Sequence, residues 1–134
     1  MNGYTREWLR KGEGDLEGAI LLSKETSPRT AHLLCFACQQ SAQKYLKGFL
    51  VENNIRFSKT RSMELTLLPL ALSVNKEFKI LKPFLKELDP SAVEFRYPGE
   101  QIELSDVRAA LDAAKKVRKF VRGKLGLEKQ KRLL

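Results

Sequence analysis

The chain carries one histidine, His32, and two cysteines, Cys35 and Cys38. That scarcity excludes several kinds of chemistry. No histidine pair is present to hold a metal, and the cysteines lack two further ligands at matching spacing, so neither metal nor cofactor is expected. A nucleophile triad would have to use His32, which stands one helical turn from Phe36 and is expected to face inward or pack near it. No catalytic residue is assigned. A Cys-x-x-C redox motif needs a strand before it and a helix after it. Here both cysteines fall on the apolar side of one helical pattern, where buried packing is the better reading. No glycine-rich phosphate loop exists, because the N-terminal glycines sit inside a helical pattern without the lysine and hydroxyl that should follow.

No run of about 18 apolar residues occurs, which argues against a transmembrane helix. The opening MNGYTREWLRKGEGDLEG is charged throughout and lacks an apolar signal segment, so the cytoplasm is the expected location. No stretch alternates with a period of two, and no repeat or dividing linker is present. The expectation is a single domain over 5–126 followed by a basic tail, 127–134.

What the chain does have is helical periodicity. In AHLLCFACQQSAQKYLKGFLV, residues 31–51, Ala31, Leu34, Cys35, Cys38, Ala42, Tyr45, Leu46 and Phe49 keep the three-and-four spacing of one buried face. Leu33, Phe36 and Val51 widen it. Ser27-Pro28 reads as its start signal, and Asn53-Asn54 as the left-handed turn that stops it. Thr5–Glu25 reads as a first helix with Leu9, Gly12, Leu16 and Ala19 on its stripe. Gly12 lies where helices could approach closely, whereas Gly14 only weakens the helix. Ser62 should cap a short third helix that Pro69 ends or kinks. Asn75–Leu88 is a fourth helical region that Pro83 divides near Lys82. Asp89-Pro90 reads as one more cap. After the loop RYPGEQIEL, residues 96–104, Ser105 should cap the last helix along Val107, Ala110, Ala114, Val117 and Val121. These patterns predict an all-α fold, an antiparallel up-and-down bundle of about five helices.

The formal net charge is +9. Residues 115–134 hold nine basic residues against one acidic, Glu128, so nearly all the surplus sits at the C-terminus. Such asymmetry suggests an anionic partner: RNA, DNA, nucleotide or an acidic protein. Two features could present cations to it. Gln40, Lys44 and Lys47 form a stripe on the central helix, either a solvated face or the lining of an anion-binding groove. Arg96-Tyr97-Pro98 is either a loop anchor or an arginine offered to phosphate beside an aromatic ring. The acidic clusters Glu13/Asp15/Glu17 and Glu100/Glu103 read as solvated.

Three segments together resemble a known family. Trp8-Leu9-Arg10-Lys11-Gly12 with Asp15-Leu16 and Ala19 is similar to the opening of small prokaryotic HEPN-domain proteins (higher eukaryotes and prokaryotes nucleotide-binding). Phe36-Ala37-Cys38-Gln39-Gln40-Ser41-Ala42-Gln43-Lys44-Tyr45-Leu46-Lys47 resembles their most recognisable stretch. Lys59-Thr60 and Arg96-Tyr97-Pro98 follow in the same order. The resemblance implies an all-α bundle that commonly forms a homodimer, binds nucleotide or RNA, and in many cases stands beside a minimal nucleotidyltransferase. Some members are ribonuclease toxins. Two departures stand out. Arg61 replaces the histidine often found after Lys-Thr, and no histidine follows Arg96, where the ribonuclease members carry one four to six residues on.

The resemblance therefore implies a non-catalytic module for nucleotide or RNA, paired with a nucleotidyltransferase partner in a toxin–antitoxin-like system. Arg96, Tyr97, Lys44 and Lys47 would contact the phosphate. The alternatives are a ribonuclease with a non-standard site, or a protein-interaction adaptor.

Overall fold

A computed structural model describes residues 1–59, 62–89 and 102–127. These form α1 (Gly3–Ser23), α2 (Ala31–Glu52), a π-helical turn (Met63–Leu67) leading into α3 (Leu68–Val74), a 3-10 turn (Lys76–Leu81) leading into α4 (Lys82–Leu88), and α5 (Leu104–Lys124). No strand occurs among the described residues. The described residues form an all-α antiparallel up-and-down bundle with five α-helices among them.

Side-chain pairings fix the directions. Near one end of the α1–α2 pair, Thr5 Oγ1 donates to Glu52 at 3.0 Å, and mid-helix Ser41 Oγ donates to the Gly12 carbonyl at 2.8 Å. Rising numbers on α1 meet falling numbers on α2, so the two helices are antiparallel. The turn-and-α4 segment runs antiparallel to α5 in the same way. Phe78 meets Phe120 edge-on at 4.9 Å, and the Lys116 ammonium stands over Phe84 at 5.0 Å. The core is one cluster built on α2, with Leu34, Cys35, Cys38, Leu46 and Leu50 buried against Leu16, Phe78, Leu85 and Val117.

Helix ends show where local chemistry overrides the sequence reading. α1 begins at Gly3 rather than Thr5 because the Asn2 side chain accepts the amides of Tyr4 at 2.7 Å and Thr5 at 3.2 Å. α2 starts as expected at Ala31, but Ser27-Pro28 lies in the preceding turn. The Ser27 carbonyl takes the Thr30 and Ala31 amides there, and Thr30 occupies the cap position. Its far end matches expectation: Asn54 is left-handed at φ 57°, with Ile55 donating to Leu50 and Asn54 to Val51. α5 is capped at Glu103, not Ser105, and the Asp106 carboxylate takes the Glu103 amide at 2.8 Å. Gly126 closes the helix with φ 76° while Leu127 donates back to Arg122.

Pro69 and Pro83 each sit in the first turn of α3 and α4, where no amide proton is needed. Asp89 is a buried carboxylate that reaches back to the π-helical turn. It accepts from the Met63 amide at 2.7 Å and from Ser62 Oγ at 3.1 Å. Its partners here are distant in sequence, and the segment from Pro90, which it is expected to cap, lies outside the described residues. Among the described residues no helix is long and apolar enough to cross a membrane.

The α1–α2 seam is tight at Gly12. A Cβ there would stand 3.2 Å from the Ser41 carbonyl oxygen and 3.3 Å from both Lys44 Cβ and a Tyr45 ring carbon. Backbone and Cβ atoms cannot swing aside. Gly14, one residue on from Glu13, has nothing within 4 Å. Chemical denaturation should therefore separate the two positions. Gly14→Ala gains stability by up to about 1 kcal/mol from helix propensity, while Gly12→Leu loses about 2 kcal/mol or more through overpacking. Similar changes at both positions would show that the seam is not close-packed.

Candidate functional site

Two polar clusters straddle the α1–α2 seam, and they differ in what they leave unsatisfied. The first is closed. Glu13 of α1 accepts from Arg118 of α5, Nε at 2.6 Å and Nη2 at 3.0 Å, and also from the hydroxyl of Tyr45 on α2, which is fully buried. A bidentate guanidinium–carboxylate pair has both geometry and charge in its favour. Burial alone pushes the Glu13 carboxyl up, yet the hydrogen bonds from Arg118 and Tyr45, with the charges of Arg118 and Arg122, outweigh it and hold the group below its ordinary value. Burial, reinforced by the bond to Glu13, pushes the Tyr45 phenol up. Both Glu13 oxygens and the Tyr45 hydroxyl are engaged, so the cluster ties three helices together. The expectation of a solvated Glu13 is corrected: the side chain is only 17% exposed because α5 brings Arg118 to it.

The second cluster is open. Lys44 and Lys47 lie on the flank of α2 that borders α1. Lys44 is paired with Asp15, which corrects the second of the carboxylates expected to be solvated. Lys47 is half-buried and has no carboxylate partner among the described residues. Its ammonium stands 5.3 Å from the centre of the Trp8 ring and 5.6 Å from that of Phe57. The two rings meet edge-to-face at 6.2 Å. Burial, and then the neighbouring Lys44 charge, push the Lys47 amine down from its ordinary value. Aromatic faces attract a cation but do not neutralise it. An anion would do so. Arg56, Ser58 and Lys59 stand exposed on the connector that carries Phe57. A half-buried cation, two aromatic rings and a basic strand of connector are the parts a phosphate-bearing aromatic ligand requires.

The sequence pattern places Lys44 and Lys47 together correctly but misses Trp8 and Phe57 as their company. In sequence, Trp8 stands out only within the opening segment that resembles the family, and Phe57 not at all. The usable signal is Phe57 itself, an apolar ring in an otherwise polar segment. Arg96 and Tyr97 lie outside the described residues, as do Thr60, Arg61 and Glu100. His32 is exposed, as is Phe36, rather than turned inward, because α2 presents that flank away from the core. Cys35 and Cys38 are buried in the core, and burial followed by the nearness of Cys35 pushes the Cys38 thiol up to about 12, which suits packing rather than redox work. Among the described residues no three His, Cys, Asp or Glu side chains come together as metal ligands.

The closed cluster makes stability depend on pH. The folded-state value of Glu13 lies below its unfolded value, so its contribution is present above the ordinary glutamate range and is lost as pH falls through the depressed value. Glu13→Gln should cost about 2 kcal/mol at neutral pH by leaving Arg118 without its counter-charge. In denaturation experiments the gap between the two proteins should narrow as pH falls below the ordinary glutamate range. A gap that stays constant over that interval would mean that the Glu13 charge does not hold the helices.

Comparison with known proteins bears on the fold and the family. No curated protein matches the chain. Two crystal structures are similar in fold. One is TT1696 from Thermus thermophilus, at TM-score 0.73 and 23% identity, covering 92% of this chain and 99% of that one. The other is ST0689, an archaeal HEPN homologue, at TM-score 0.68 and 23% identity, covering 90% of this chain and 97% of that one. Residues 5–124 match the HEPN domain. The chain belongs to the HEPN domain family.

Proposed function

We propose that this protein is a non-catalytic HEPN module that binds nucleotide or single-stranded RNA at the α1–α2 corner. The observation that carries the reading is Lys47, a half-buried cation without a carboxylate among the described residues, held against Trp8 and Phe57. The phosphate would neutralise Lys47 while a base stacks on ring surface, a combination that tolerates any base. Arg96 and Tyr97 would add a second phosphate contact, as the family resemblance implies, and a nucleotidyltransferase would be the partner protein. Catalysis is not part of the reading. Metal-independent cleavage needs one group to take the 2′-hydroxyl proton and another to protonate the leaving oxygen, and no histidine follows Arg96 in the sequence to serve.

Titration with ATP and with a labelled RNA oligonucleotide tests it. Lys47→Gln should weaken binding about tenfold, the loss of one charge-assisted contact, and Arg96→Ala should weaken it while the RNA stays intact. Unchanged affinity in Lys47→Gln would overturn the site, and cleavage abolished by Arg96→Ala would overturn the non-catalytic reading.

Self-association belongs to the same proposal. Leu33 and Phe36 stay exposed on α2, nearly one turn apart, and a second copy is the partner the family resemblance implies. Sedimentation at micromolar concentration should report a dimer, and Leu33→Glu should return it to monomer. A strict monomer for the unaltered chain would remove the dimer from the reading.

A further inference from the structure

A second surface lies away from that corner, between α4 with its preceding 3-10 turn and the C-terminal half of α5. It is a groove of about 750 Å³ whose floor is Leu81, Pro83, Phe84 and Phe120, with Ile80 at its edge and Lys116, Lys119 and Lys124 around the rim. Ile80 is 63% exposed, high for an isoleucine beside a concavity. The floor presents almost no hydrogen-bonding atoms, so its recognition must be apolar at the centre and cationic at the border.

We propose that this groove docks an amphipathic helix of a partner protein, apolar along one face and acidic on its flanks. Three observations select this occupant. The stretch of α5 along the groove, residues 116–124, spans about 12 Å, the length over which a docked helix presents three apolar side chains at i, i+3 or i+4, and i+7. The rim is positive: Lys119 has no carboxylate partner among the described residues, Lys116 shares Asp112 at 3.3 Å, and Lys124 is paired with Glu77. Lys79 and Lys82 add exposed cations on the opposing segment, while Lys86 there stands 4.0 Å from Glu64. That charge repels a second copy of this chain presenting the same rim, and it repels the basic residues that come after Leu127 in the sequence. Nucleic acid fits less well. The floor offers almost no hydrogen-bonding atoms to a sugar–phosphate backbone.

The probe is a fluorescent 18-residue peptide with leucines on one helical face and glutamates on the flanks, compared with a scrambled peptide of the same composition. Anisotropy should show saturable binding of the patterned peptide that weakens as salt rises, since the rim charges are exposed. Ile80→Glu should weaken it by about tenfold or more, because it places a charge on an apolar anchor site. Lys119→Glu should weaken it several-fold. Both positions are exposed, so circular dichroism should be unchanged in either variant. Equal binding of the scrambled peptide, or patterned-peptide binding that ignores Ile80→Glu, overturns the proposal. So does a labelled oligouridylate whose binding falls in Ile80→Glu while the patterned peptide fails to bind, since the groove would then serve RNA.

Discussion

The structure depends on the close approach of α1 and α2 at Gly12. The absent side chain lets the backbone of α1 settle against Ser41, Lys44 and Tyr45, and Ser41 fixes the distance by donating to the Gly12 carbonyl. Everything near the seam inherits that spacing. Glu13 comes within reach of Tyr45, Asp15 within reach of Lys44, and Trp8 beside Lys47. Arg118 then draws α5 against the same seam, so that one carboxylate is shared by three long helices. A buried carboxylate costs desolvation energy, and the bidentate guanidinium offsets it only because the helices are already in register.

The two cation-bearing surfaces arise from this arrangement by different routes. On the α2 flank, lysines are drawn into the bundle: Lys44 finds Asp15, but the next lysine along the flank finds rings instead of a carboxylate. A cation left uncompensated in this way is a preformed place for an anion. On α5, the lysines remain outside. Arg118 and Arg122 turn inward to Glu13 and the Leu127 carbonyl, while Lys116 and Lys119 border an apolar groove. One surface therefore combines a half-buried cation with two rings, and the other an apolar floor with a cationic rim. The two lie on different helix pairs, so a ligand at one leaves the other open.

Absence of a histidine after Arg96 shapes the chemistry available to the fold. Arginine stabilises phosphate charge but moves no proton near neutral pH. The aromatic rings beside Lys47 add area without adding reactivity.

By itself the amino-acid sequence determined the helical class, the extent of α2, the left-handed stop at Asn54, the break at Lys82 and the close approach at Gly12. All of these rest on interactions within a few residues, or on one buried stripe with a clear period, and local spacing records both. It also determined the family, through ordered short motifs along one chain. Tertiary structure alone decided which charged side chains meet. Glu13 finds Arg118 across more than a hundred residues of sequence, Asp89 caps a turn that begins at Met63, and Trp8 joins Phe57 around Lys47. No periodicity encodes such pairs, because a charge on a helix surface looks the same in sequence whether water or another helix covers it. The groove between α4 and α5 was hidden for the same reason: its lysines read only as part of the C-terminal basic surplus, and only packing shows the apolar floor between them.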